Sequence, residues 1–252
     1  MTLQYASDLH LEFSQNRDFM KANPIQPKAE VLVLAGDVVP FNVMHKHADF
    51  FKYVSDHFEA VYWVPGNHEY YNSDLMHYAG SLLREISTNV FLVNNTSVQV
   101  KDVHLIFSTM WTKISDACAW DIERGMSDFH CITKDGKRFS AAMYNQLHEE
   151  SLAFLRQELK STAATKKLVV THHVPTYMHY PAEYKGSVLS EAFAIELFDL
   201  IEANGPDAWI YGHHHGATPD FEIGKTNMLT NQLGYVKYGE HGLFNPESVF
   251  NI

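Results

Sequence analysis

The chain is short of the residues that small folds use as staples. Its 252 residues include two cysteines, Cys118 and Cys131. Two thiols in a chain this long do not make a disulfide framework, and the absence of any CxxC spacing excludes a zinc ribbon. Positive charge is scarce as well: 19 Lys and Arg stand against 30 Asp and Glu, a formal net charge of -11. That balance opposes long polyanions such as duplex nucleic acid unless a local basic groove compensates. No stretch approaches the roughly 20 consecutive apolar residues of a membrane span. The opening Met1-Thr2-Leu3-Gln4 lacks the basic and long apolar regions of a signal peptide. A cytoplasmic location without a membrane partner is therefore expected. Internal repeats, linkers and low-complexity tracts are also missing, and with 46% hydrophobic residues the chain can bury a large core, so residues 1–252 are expected to form a single domain.

What is present is a set of apolar runs that all break into metal-ligand chemistry. Val31-Leu32-Val33-Leu34-Ala35 suits a strand buried on both faces, and it ends in Gly36-Asp37. Leu3 to Ser7 runs into Asp8-Leu9-His10, and Ala60 to Val64 into Pro65-Gly66-Asn67-His68-Glu69. Leu168 to Thr171 runs into His172-His173, and Ala208 to Tyr211 into Gly212-His213-His214-His215. Ligand sites in open α/β sheets gather at such carboxyl ends of strands.

Between these points the pattern predicts helices near His45 to Phe58, from Ser73 to about Ile86, after Ser140 to near Ala163–Lys166, and over roughly Ser190 to Ala203. Residues 11–30 read as a polar loop with Pro24 and Pro27. Alternating strand and helix up to residue 86 argues for βαβ units in a parallel sheet. Val90–Val93, Ser97–Val100 and Val103–Ser108 then read as an antiparallel meander that starts a second sheet. Short β runs near Thr226–Leu229 and Val249–Ile252 close the chain. Residues 109–139 lack clear periodicity and are either a lid or a packed irregular insertion.

Asp, His and Asn side chains from separate strand ends can wrap two divalent ions, because imidazole and carboxylate suit zinc, iron and manganese. A carboxylate such as Asp37 can bridge them, leaving space for a shared hydroxide at the roughly 3.5–4 Å separation of two-metal sites. Two such ions would add four positive charges where chemistry happens, enough to attract a small phosphorylated substrate to an acidic protein. His213 and His215 leave the same face if the backbone is extended, with His214 pointing away as an exposed or neighbouring group. Of His172 and His173, one ligand and one neighbour is expected.

Taken in order, Asp8-x-His10, Gly36-Asp37, Gly66-Asn67-His68-Glu69, His172 and Gly212-His213-x-His215 resemble the five-block signature of the calcineurin-like metallophosphoesterases, in the bacterial single-domain branch. Met110-Trp111-Thr112 and Ser127-Asp128-Phe129, between the third and fourth blocks, are part of the likeness. The resemblance implies an α/β fold in which two mixed sheets face each other with helices outside, a four-layer α-β-β-α sandwich. It implies that Asp8, His10 and His215 hold one ion, that Asn67, His172 and His213 hold the other, and that Asp37 bridges. His68 would be the general acid and the bridging hydroxide the nucleophile, in hydrolysis of phosphomonoesters or phosphodiesters of small molecules. His214, where Thr or Val is usual, and Glu69, an outer partner or a loop acid, are left without roles. The rival readings are a nuclease of the same fold, for which only scattered basic residues such as Lys113, Arg124, Lys137, Arg138 and Lys185 offer a track, and a catalytically silent, metal-stabilised scaffold. Oligomeric state is not legible.

Overall fold

The computed structural model describes residues 1–78, 80–160, 166–216 and 218–252. In chain order the elements are β1 (Thr2–Ala6), α1 (Ser14–Ala22), β2 (Val31–Ala35), α2 (Ala48–His57), β3 (Ala60–Val64), β4 (Ser73–Asp74), β5 (Leu82–Ser87), β6 (Val90–Asn94), β7 (Thr96–Val100) and β8 (Val103–Ser108). There follow α3 (Asp116–Gly125), α4 (Asp128–Cys131), β9 (Ile132–Lys134), β10 (Lys137–Arg138), α5 (Ala141–Lys160), β11 (Lys166–Thr171), α6 (Phe198–Asn204), β12 (Ala208–Ile210), β13 (Phe221–Ile223), β14 (Thr226–Leu229) and β15 (Val249–Asn251).

Two six-stranded mixed sheets carry the fold, ordered β15-β1-β2-β3-β6-β5 and β13-β14-β12-β11-β8-β7. Strand β2 shows why they face each other. All five of its residues are buried, and because side chains alternate across a strand, Leu32 and Leu34 join a core with Phe51, Val54 and Phe58 on and just after α2, while Val31, Val33 and Ala35 meet Phe107 and Val170 of the other sheet. The far face of the second sheet packs Ile106, Val169 and Trp209 against Leu152, Leu155 and Leu159 of α5 and Ile201 of α6. The result is the helix-sheet-sheet-helix sandwich expected, with β1, β2, β3 and β6 parallel to one another and β8, β11, β12 and β14 likewise. Among the described residues no helix is long and apolar enough to cross a membrane.

Several local expectations are corrected. The helix from Ser73 to Ile86 does not form: Ser73–Asp74 is a strand, Leu75–His77 a 3₁₀ turn, and Leu82–Ser87 an edge strand paired antiparallel with β6. Backbone pairing across the Thr88-Asn89 turn overrides the helical spacing there, leaving Leu83 58% exposed while Leu82 and Ile86 face the core. The three-stranded meander is likewise split, since β6 belongs to the first sheet and only β7 and β8 form a hairpin in the second. The helix expected over Ser190–Ala203 is confined to α6, because the backbone at 193–195 pairs instead with Val174 (Ile195 N to Val174 O, 3.0 Å). Helix α1 occupies part of the expected polar loop, anchored by buried Asn16, which donates to the carbonyls of Leu9 and Gly234. Helix α5 runs to Lys160, and the expected terminus at Ala163–Lys166 falls mostly on positions 161–165, outside the described residues. Residues 109–139 hold α3, α4 and the β9–β10 hairpin, and bury Trp111, Ile122, Phe129 and Phe139 in the first core.

Candidate metal centre

The ends of β1, β2, β3, β11 and β12 bring the expected residues together. Five of them, Asp8, His10, Asp37, His213 and His215, have positive φ angles of 46–82°, a left-handed conformation that costs a non-glycine residue on the order of 1–3 kcal/mol. His213 and His215 are therefore not extended, and a turn rather than strand alternation aims both inward. The glycines before Asp37 and Asn67 are needed for close approach: a Cβ at Gly36 (φ 92°) would overlap the His172 ring, and one at Gly66 would overlap the Asp37 carboxylate.

Two clusters of donor atoms result. In the first, His10 Nε2 lies 2.9 Å from His215 Nε2 and 3.7 Å from Asp37 Oδ2, and Asp8 Oδ1 lies 3.4 Å from His215 Nε2. In the second, His172 Nε2 lies 3.0 Å from His213 Nδ1, 3.2 Å from Asn67 Oδ1 and 3.4 Å from the same Asp37 Oδ2. Atoms held at about 2.1 Å from one ion stand roughly 3.0–3.4 Å apart. Both clusters meet that spacing within a few tenths of an ångström, and both are groups that could hold a metal ion.

Protonation points the same way. His10 Nδ1 faces Glu12 Oε1 at 3.2 Å, His215 Nδ1 faces Glu240 Oε2 at 2.9 Å, and His172 Nδ1 faces the Ala35 carbonyl at 2.9 Å. Each acceptor can hold the ring proton on Nδ1, which turns the Nε2 atoms of His10, His215 and His172 toward the clusters. Burial opposes charge on His215, but Asp8 and Glu240 hold it up at about 10, so with no ion bound its Nε2–H donates to His10 Nε2 at 2.9 Å, in the place a cation would take. The Asn67 amide is oriented by Asp128, whose Oδ1 accepts from Asn67 Nδ2 (2.9 Å) and from the Tyr71 hydroxyl (2.6 Å), turning Asn67 Oδ1 toward the cluster.

His68 stands beside both clusters. Its backbone N–H donates to Asp37 Oδ1 (2.9 Å), its Nδ1 faces Glu12 Oε1 (3.1 Å), and its ring stacks on Tyr71. Burial opposes its charge, but Asp37 and Glu12 outweigh burial and hold its pKa above the ordinary value. Glu69 is fully buried and accepts four backbone N–H groups, from Asp37, Val38, Val39 and Gly66, at 2.5–3.1 Å. Burial, then the Asp37 charge, pushes its carboxyl up to about 8 against the pull of these backbone donors. Glu69 thereby ties the loop after β2 to the loop after β3.

His173 and His214 lie outside both clusters. Burial, then His172, pulls His173 down to about 3, and its Nδ1 bonds the Thr109 carbonyl at 3.1 Å. His214 is buried rather than exposed, with Nδ1 accepting from Gly216 N at 2.9 Å. Glu12, Glu240 and Tyr235, whose hydroxyl is 3.4 Å from His68 Nε2, had no place in the sequence reading. Glu12 follows His10 by two residues and was findable as a nearby acid; the other two carry no local signal.

Comparison with known proteins bears on the fold and the family. A solved structure of the phosphopantetheinyl hydrolase PptH from Mycobacterium tuberculosis superposes with a TM-score of 0.68 at 17% identity, covering 94% of this chain and 90% of that one. A dimetal phosphatase from Danio rerio aligns at a TM-score of 0.47 and 13% identity, covering 92% of this chain and 87% of its own. In sequence, Uncharacterized protein L509 of Acanthamoeba polyphaga mimivirus is 32% identical over 282 residues, spanning 99% of this chain and 96% of the relative. A family model for calcineurin-like phosphoesterases matches residues 1–217. With the metal-dependent family's motifs gathered at the carboxyl ends of strands from both sheets, the chain belongs to the calcineurin-like phosphoesterase family.

Proposed function

We propose that this protein is a dinuclear-metal phosphoesterase hydrolysing phosphomonoesters or phosphodiesters of small molecules. The observation that carries the reading is the position of Asp37: one oxygen, Oδ2, lies 3.7 Å from His10 Nε2 and 3.4 Å from His172 Nε2. It can therefore serve both clusters. Manganese, iron or zinc ions bound there would supply Lewis-acid polarisation of a phosphoryl group and a water made nucleophilic near neutral pH.

The chain's own residues do the rest. Asp8, His10 and His215 hold one position, Asn67, His172 and His213 the other, with Asp37 between. Glu12 fixes the Nδ1 proton of His68, which leaves Nε2 as the atom that delivers a proton to the departing oxygen. Metal analysis of the purified chain, coupled to assays of phosphomonoesters, cyclic nucleotides and diesters with each metal, tests the reading. Two metals per chain with hydrolysis of at least one class is the expected result. Stoichiometric metal with no turnover of any ester would leave a metal-stabilised binding scaffold.

A further inference from the structure

The cavity in front of the two donor clusters has a volume of about 750 Å³. That far exceeds a phosphoryl group and falls among the pockets, roughly 300–1,000 Å³, that enclose whole organic molecules. Its charge is one-sided. Among the described residues that line it there is no lysine or arginine, and the charged side chains apart from the donors are Glu12 and Glu240. Both carboxylates are engaged by imidazoles, Glu12 by His10 and His68 and Glu240 by His215. Cations close by in sequence are turned elsewhere: Arg124 lies 4.3 Å over the Trp120 ring and Lys237 5.5 Å over Tyr238. Lys185, next in the chain to the wall residue Tyr184, is exposed and does not line the cavity.

Apart from the histidines, the rest of the wall is uncharged and mixed: Asn42, Asn72, Ser127, Ser187 and Ser190 are polar, and the larger groups are apolar. Phe13, Tyr71, Phe193 and Tyr235 present rings, and Val43 and Leu189 aliphatic groups. Phe13 is 41% exposed at this opening, apolar surface that a ligand would remove from water. A second phosphate reaching past the ions would lose its hydration beside Glu12 and Glu240 with no lysine or arginine among the described wall residues to pair with and with His68 already paired to Glu12, and like charges set together are strongly disfavoured.

On the phosphoesterase reading above, we infer that the substrate carries no negative charge beyond the reacting phosphoryl group, and that its organic arm is an uncharged aryl or alkyl group packed against these rings. Nucleic acids, nucleoside polyphosphates and inorganic polyphosphates are excluded by the same chemistry.

The test uses the full chain reconstituted with manganese and two aryl phosphates that differ in one ring substituent, a neutral carboxamide or a carboxylate. Binding of the two corresponding benzylphosphonates, which cannot be hydrolysed, is measured by calorimetry. The carboxamide is expected to be favoured at least about tenfold in kcat/KM and in Kd. Asn42→Lys, which puts a cation at an exposed wall position, narrows that preference. Phe13→Ser weakens the carboxamide compounds by about twofold to tenfold, and Lys185→Ala leaves the preference unchanged. Equal turnover and equal binding of the carboxylate pair would overturn the inference while leaving the phosphoesterase reading intact, and so would loss of the preference through Lys185→Ala. If no ester is hydrolysed with manganese, iron or zinc but the neutral phosphonate still binds better, the hydrolase reading fails and the ligand class stands. No preference in binding sinks the inference whatever the turnover.

Discussion

The two donor clusters match in number of side chains and differ in what stands behind them. Behind the first, two imidazoles lean on carboxylates, Glu12 and Glu240, and one of the donors, Asp8, is itself an anion that accepts the His213 backbone N–H at 3.0 Å. Behind the second, His172 leans on a neutral carbonyl, the Asn67 donor is an uncharged amide, and the His213 ring stacks on Phe193 with a buried Nε2 that has no partner among the described residues. A histidine that donates to a carboxylate is a more basic ligand than one that donates to a carbonyl. On the proposed two-ion reading, the first position holds its ion tightly and the second holds a more weakly neutralised, more exchangeable one. Equal ligand counts thus conceal unequal electrostatics.

The comparison breaks most severely at the residue the halves share. Asp37→Asn is expected to lower both the metal content and the rate by more than the roughly 10–100-fold that loss of an outer partner costs. A fully metallated, active variant would show that Asp37 does not join the clusters. Next is His68→Ala, expected to lower turnover of alkyl esters by about 10²–10⁴-fold while changing p-nitrophenyl esters far less, because their leaving group hardly needs a proton. Equal losses on both would remove His68 from that role.

The asymmetry itself is sharpened by two outer substitutions read in a metal titration. Glu240→Gln should weaken the tighter binding step by about 10–100-fold, and Asp128→Asn the weaker step by a similar factor. Both variants acting on one step would mean that the halves are not independent. The smallest effect is on stability. With metal present at about 100-fold over its Kd, binding at one position contributes about 2.7 kcal/mol. Stripping the metal with a chelator should therefore lower Tm by roughly 5–10 °C for each position so occupied. An unchanged melting curve would show that neither cluster holds an ion that contributes to stability.

Most of the site could be read before any coordinates, because each strand announces itself as an apolar run and each candidate ligand stands within a few residues of its end. Asp37 behind Val31–Ala35 and His172 behind Leu168–Thr171 are examples. Local spacing failed where backbone pairing with a distant strand competed with it. Leu75 to Ile86 carries a helix-like pattern, yet its second half pairs with Val90–Asn94. The orienting residues failed differently. Asp128 lies 61 residues from Asn67, and Glu240 lies 25 from His215, and nothing in the intervening chain marks either pair.

The amino-acid order by itself determined the strand ends and the kinds of side chain set there, since apolar periodicity and chain-breaking glycines are properties of a few neighbouring residues, and the facing sheets were implied by the resemblance those motifs carry. Sheet order and register alone decided that Asp37 reaches both His10 and His172, that carboxylates back the histidines of one cluster while a carbonyl and an aromatic ring back the histidines of the other, and that lysine and arginine stay off the described cavity wall. Those relations join positions far apart along the chain, and only packing of the two sheets sets the distances between them.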